Sequence, residues 1–222
     1  MTAQTKITVI FILSFILVVS PVLTHAQNGD WKCVKKTDSI SVYSKKSGYS
    51  NLQIIKAETE IKTSLSALVA LLTDNKNHKN WVYLNKKAEI LEKKNDFEWV
   101  LYSQTDAPWP VTDRDVVTHA RLSQDKKTKT VTIYGEAVPD YLPKDPHHVR
   151  VPYAQVQWQF IPEKNGWVKV VFTLSADMGG SIPKWLMNLT AAKGPFETIR
   201  KMRKEVKKKK YRTAHLPYII EP

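Results

Sequence analysis

Residues able to do chemistry are few and far apart in this chain. Asp113-Arg114-Asp115 sets a guanidinium between two carboxylates. A buried arginine has to be paired, so the triplet is expected to form a salt-bridged strand entry, with Arg114 in the wall of an interior cavity as the alternative. His147-His148 invites a metal. Adjacent histidines on an extended chain project to opposite sides, and no cysteine or acid cluster stands by to complete a coordination set. The pair belongs to a loop, and neither a metal nor a cofactor is expected. Glu89, Glu92 and Glu98 fall on strands or turns and are expected to be solvated. A Gly-x-Ser-x-Gly elbow, a Cys/His pair and a phosphate-binding glycine loop are not found in the sequence. No catalytic residue is expected.

The N-terminus has another purpose. Lys6 precedes the apolar run Ile7–Val19, which only Thr8 and Ser14 interrupt; Pro21 ends it, and Thr24-His25-Ala26 supplies small residues at the −3 and −1 positions. That is the layout of a secretory signal peptide, residues 1–26, cleaved before Gln27. The run is shorter than the ~20 residues of a spanning helix. The expectation is an exported protein, secreted or periplasmic. Cys33 is the single cysteine, so the mature domain is held by its core alone, and such cysteine poverty suits a bacterial periplasm. Residues 27–222 show no repeat and no Ser/Gly linker and are expected to form one monomeric domain.

The net charge is +13. It concentrates at one end: Arg200 to Arg212 holds nine Lys/Arg against one acid, Glu205. A cationic helix end is favoured by the helix dipole. Transient contact of Arg200–Arg212 with an anionic membrane is the sharper alternative. Nucleic acid is not expected as a partner, because export removes it and no aromatic platform is interleaved with the lysines.

The body reads as antiparallel strands. Gln155–Phe160 alternates polar and apolar residues throughout, and Trp167–Ser175 puts Val168, Val170, Phe172 and Leu174 on one face. Pro162–Gly166 between them is turn chemistry, so the two form a hairpin. Earlier strands are expected at Ser39–Ser44, Leu52–Ile61, Ala88–Lys93, Phe97–Thr105, Asp115–Leu122 and Thr130–Ala137, with proline-containing loops at 107–112 and 138–152. Ser64–Thr73 carries a helical stripe capped by Thr63 or Ser64, and a short helix is expected near His78–Leu84. A long amphipathic helix begins at Ile182-Pro183, with Trp185, Leu189, Ala192, Phe196, Ile199 and Val206 on one face and a kink at Gly194-Pro195. A single helix ~10–12 Å across cannot fill the concave face of so many strands. Either large side chains or a cavity must occupy the remainder.

Four segments, in order, resemble the START (StAR-related lipid-transfer) family. They are Asn80-Trp81 at a helix end; Pro108-Trp109-Pro110-Val111-Thr112-Asp113-Arg114-Asp115-Val116-Val117; Gly179-Gly180-Ser181-Ile182-Pro183-Lys184-Trp185-Leu186; and Phe196 through Arg203. The resemblance implies an α+β helix-grip fold, a curved antiparallel β-sheet wrapped around a long C-terminal α-helix, with a cavity for a lipid or similar hydrophobic ligand. It decides for a cavity and against a filled core. On that basis the wall is expected to include Trp81, Trp99, Leu101, Arg114, Val116, Thr118, Trp158, Phe160, Trp185, Leu189, Phe196 and Ile199. Some relatives place a charged pair inside; the matching positions here, Leu101 and Ala120, are apolar, which implies a greasier pocket. Function is then carriage, transfer or sensing without catalysis. An enzyme of polyketide cyclase or aromatase type on the same scaffold is the alternative, and it would need titratable groups converging in the cavity.

Overall fold

Alternation of apolar and polar residues makes a strand only if one face finds cover, and in this chain a single large sheet provides nearly all of it. The computed structural model describes residues 31–47 and 52–222, without the side chains of 184–186 and 188–190; the expected signal peptide lies outside the described residues. The strands are β1 (Lys32–Lys36), β2 (Ile40–Lys46), β3 (Gln53–Lys62), β4 (Asn85–Asn95), β5 (Glu98–Thr105), β6 (Arg114–Gln124), β7 (Val131–Ala137), β8 (Val149–Arg150), β9 (Tyr153–Pro162) and β10 (Trp167–Asp177). The helices are α1 (Leu65–Thr73), α2 (His78–Trp81), α3 (Lys184–Glu205) and α4 (Lys209–Arg212).

The sheet order is β1-β2-β3-β10-β9-β7-β6-β5-β4, antiparallel along this path, with β8 adding parallel to β6. The C-terminal hairpin β9–β10 therefore joins the two halves of the chain, β10 pairing with β3 and β9 with β7. Every strand expected from the sequence is present. Two further strands are not signalled by it. β1 is a basic, mostly exposed segment with no alternation, and β8 is two residues inside the stretch expected to be loop.

α1 is buried almost all round, with Leu65, Leu68, Val69, Leu71 and Leu72 covered, which is wider than the stripe its sequence shows. The C-terminal tail covers the second side: Leu216 donates its N–H to Ser66 Oγ at 3.4 Å. α3 lies along β1, β2 and β3 and touches α2. Its helical assignment runs unbroken through Gly194 and Pro195. The helix stops at Glu205, so the basic run beyond it is not the helix end expected: a turn intervenes before α4, whose Tyr211 is buried. Among the described residues no helix is long and apolar enough to cross a membrane.

Candidate functional site

The inward residues of the strands face α3 across a space of about 570 Å³, well within the size range of small-molecule sites. Trp99, Leu101, Ser103 and Thr105 of β5 stand on its wall, opposite Thr118, Ala120 and Arg114 of β6. β7 contributes Ile133 and Gly135, β9 Val156 and Trp158, β10 Phe172 and Leu174, and β3 Ile55. The helical side is Trp81 and His78 of α2 together with Met187, Ala191, Gly194, Pro195 and Thr198 of α3. Trp158 stacks on Phe172 with ring centroids 4.3 Å apart and meets Trp81 edge-on at 6.0 Å. Exposed lining residues mark the rim: Gln53 at the start of β3, Pro108 in the β5–β6 loop and Met187 in the first turns of α3.

Glycines allow the close approaches that shape this wall. A Cβ on Gly135 would lie 2.7 Å from Thr118 Cγ2 and 2.9 Å from Val156 Cγ1. Gly179 and Gly180, at φ +65° and +62°, turn the chain from β10 toward α3 through a region that side chains disfavour.

The expected wall residues divide into three groups. Trp81, Trp99, Leu101, Arg114, Thr118 and Trp158 line the cavity. Phe160, Phe196, Ile199 and Val116 do not. Phe160 and Ile199 are fully buried and Phe196 nearly so, all three in the solid core, and the Phe196 ring lies under Lys35 of β1, 3.8 Å from Nζ. Val116 shares the inward face of β6 with Arg114 and Thr118 but is not among the residues that line the cavity. The side chains of Trp185 and Leu189 lie outside those described. Leu101 and Ala120, the positions expected to make the pocket apolar, are both on the wall. Missed entirely were His78, Tyr83, Ser103 and the α3 residues Met187, Ala191 and Thr198; Ser103 continues the alternation of Trp99 and Leu101 and could have been found.

The strand entry is salt-bridged, but not through Arg114. Neighbours on a strand point to opposite faces, so Arg114 turns inward while Asp115 turns outward. There Asp115 takes a bidentate pair from Arg150, with Nε to Oδ1 and Nη2 to Oδ2 both 2.9 Å. Asp113 is held by Lys86 at 3.1 Å and by the Ala107 N–H at 2.9 Å. Arg114 is 3% exposed and donates to the carbonyls of Thr112 and Gly179. Among the described residues its Nε has no partner, and neither has the Trp81 indole N–H. Burial pushes the Arg114 guanidinium below its ordinary value, against the opposing charge of Asp113.

His78 is buried among apolar groups, and that burial lowers its imidazole from 6.5. Nε2 lies 2.7 Å from the Leu72 carbonyl, so the neutral ring keeps its proton there. Of the three glutamates expected to be solvated, Glu98 is half-buried and carries His119 Nε2 at 2.7 Å and Lys94 at 3.2 Å. His148 rests on Asp145 at 2.8 Å in the loop before β8. The described wall thus holds one guanidinium and one imidazole, with no carboxylate and no lysine.

Solved structures of the same shape exist. A STAR-related lipid transfer protein fragment from Xanthomonas axonopodis superposes with a TM-score of 0.74 at 34% identity, covering 80% of this chain and 99% of that one. Human StAR-related lipid transfer protein 5 matches at a TM-score of 0.73 and 16% identity, covering 82% of this chain and 88% of that one, a likeness of fold. By sequence, an uncharacterized protein of Pseudomonas aeruginosa is 31% identical over 180 residues, 81% of this chain and 88% of its own length. Phosphatidylcholine transfer protein of Bos taurus is 26% identical over 170 residues, 74% of this chain and 78% of its own. A family model for the START domain matches residues 23–212, and with the helix-grip architecture in place the chain belongs to the START domain family.

Proposed function

We propose that this protein binds a lipid or similar hydrophobic molecule in the cavity between its sheet and α3 and carries it without chemical change. The observation that carries this reading is the cavity itself, a space of about 570 Å³ walled by Trp81, Trp99, Leu101, Trp158, Phe172 and Leu174. Removing apolar surface from water contributes roughly 25 cal/mol per Å², so such a wall favours an acyl chain or ring system over water. The relatives named for lipid transfer support the same reading. Mass spectrometry of organic extracts from purified protein tests it. One hydrophobic molecule per chain, recovered unchanged after incubation, is expected; a cavity that purifies empty and takes up no lipid from vesicles overturns it.

The same proposal places the protein outside the cytoplasm, a monomer cut before Gln27, on the strength of the Lys6, Ile7–Val19 and Thr24-His25-Ala26 pattern. Intact-mass analysis of the exported protein checks the cut. It also rests the cationic end Arg200–Arg212 on anionic membrane surface. Within that run Lys208 is tied to Glu205 at 2.6 Å and Lys210 to Asp74 at 2.8 Å, while Lys204, Lys207, Lys209 and Arg212 are exposed charges for the bilayer.

A further inference from the structure

We propose that Arg114 anchors an anionic headgroup, carboxylate or phosphate, on the molecule held in the cavity. The inference rests on the carriage reading above and adds the chemical class of the ligand.

Arg114 is the only guanidinium or ammonium on the described wall, and no carboxylate faces it there. The two aspartates beside it in sequence are engaged elsewhere, Asp115 with Arg150 and Asp113 with Lys86. A charge removed from water costs heavily unless paired. The partners described for Arg114 are two carbonyl oxygens, of Thr112 and Gly179, for a group with five N–H donors. Among the described residues Nε is left without an acceptor. Two neutral carbonyls orient the guanidinium without a direct ion pair, and a ligand carboxylate or phosphate supplies that pairing. The planar fork suits a two-oxygen anion.

Position agrees with this role. Arg114 lies six residues along β6 from Ala120, about 20 Å at 3.3–3.4 Å per residue. It pairs with Thr105 at the end of β5, three residues before Pro108 of the rim, while Trp99 and Ala120 pair at the far end of the same two strands. A single-headed lipid fits this polarity with its charge toward the rim and its chain inward. The Gly179 carbonyl that helps hold Arg114 sits in a left-handed turn at the entrance to α3, so headgroup and helix entry share one contact.

The test uses two matched ligand pairs on delipidated protein, by displacement of a fluorescent fatty acid. Hexadecanoate is compared with 1-hexadecanol, and 1-palmitoylglycerol 3-phosphate with 1-palmitoylglycerol. The anionic member of at least one pair is expected to bind about 10–100-fold more tightly, the range of a charge-assisted hydrogen bond, and the pair that shows the preference tells carboxylate from phosphate. Arg114→Gln should erase that preference by weakening the anionic member more than the neutral one, and Arg114→Lys should keep part of it. The wild-type comparison stands even where Arg114→Gln fails to fold. Equal affinities within both pairs overturn the anchor and leave carriage intact. Failure of all four ligands to bind overturns carriage and the anchor together.

Discussion

Thr118 and Gly135 meet across β6 and β7 at a place where nothing larger fits, since a Cβ on Gly135 would stand 2.7 Å from the Thr118 methyl. Both line the cavity, so bulk added at Thr118 has only the cavity to enter. Thr118→Trp should fold, at an overpacking cost of about 1–3 kcal/mol, and lose most of its lipid capacity in stoichiometric binding; undiminished uptake would show that the ligand sits elsewhere. His78 provides a pH signature. Its folded value lies below 6.5 because burial disfavours the charged ring. The stability from this neutral imidazole is therefore fully present above 6.5 and is lost as pH falls from there toward the folded value. The thermal midpoint of delipidated protein should drop on acidification below 6.5, and His78→Gln should flatten that window; identical profiles would remove His78 from the account. Thr118 was legible because alternation on a half-buried strand sets its face. His78 was not, because a four-residue helix shows no period.

α1 is held at its N-terminus by two acceptors from opposite ends of the chain. Ser64 Oγ takes the N–H of Ala67 at 3.1 Å, and the Glu221 carboxylate takes those of Leu65 at 3.0 Å and Ser66 at 2.8 Å. Helix starts favour such side-chain acceptors and negative charge. The tail reaches this place because Gln124 clasps Ile220 through both amide atoms, at 2.7 and 2.9 Å, and Tyr218 stacks edge-on with Phe97 at 5.5 Å. Replacing Glu221 with Ala should lower stability by about 1–2 kcal/mol, read as a shift in denaturant midpoint, with Ser64→Ala costing about 0.5–2 kcal/mol. A neutral result for Glu221→Ala would mean that water caps the helix equally well. The serine cap was evident from its place before an apolar stripe. The glutamate cap was not, since 156 residues separate Glu221 from Leu65 and no local pattern joins them.

Across the whole molecule the lipid rim and the basic end stand apart. The rim includes Met187 near the start of α3, and Lys207 and Lys209 lie beyond its end at Glu205, 18 residues on, roughly 27 Å at 1.5 Å per residue. Docking through Lys207 and Lys209 would hold the protein at a surface without pressing the rim into it. Lys207→Gln with Lys209→Gln should slow transfer from anionic vesicles several-fold at low salt, since each basic residue near such a surface contributes about 1 kcal/mol, and should weaken the salt dependence; an unchanged rate would reduce the run to a solvated surface. Apart from β1 and β8, the strands and their inward faces, the N-terminal cap of α1 and the turn between β9 and β10 follow from local chemistry: a period of two, turn residues, a serine before an apolar stripe. Depth along that face does not. The floor of the cavity passes between Trp158 and Phe160 on β9, Ile133 and Val131 on β7, and Phe172 and Val170 on β10. Each pair reads alike to a rule that knows only inside from outside. Where core ends and cavity begins depends on how far α1, the lower half of α3 and the C-terminal tail fill the closed end of the sheet, and those contacts join residues distant in the chain. The same holds for Arg114: its sequence neighbours offered two carboxylates, and the pleat of β6 together with Arg150 and Lys86 took both away.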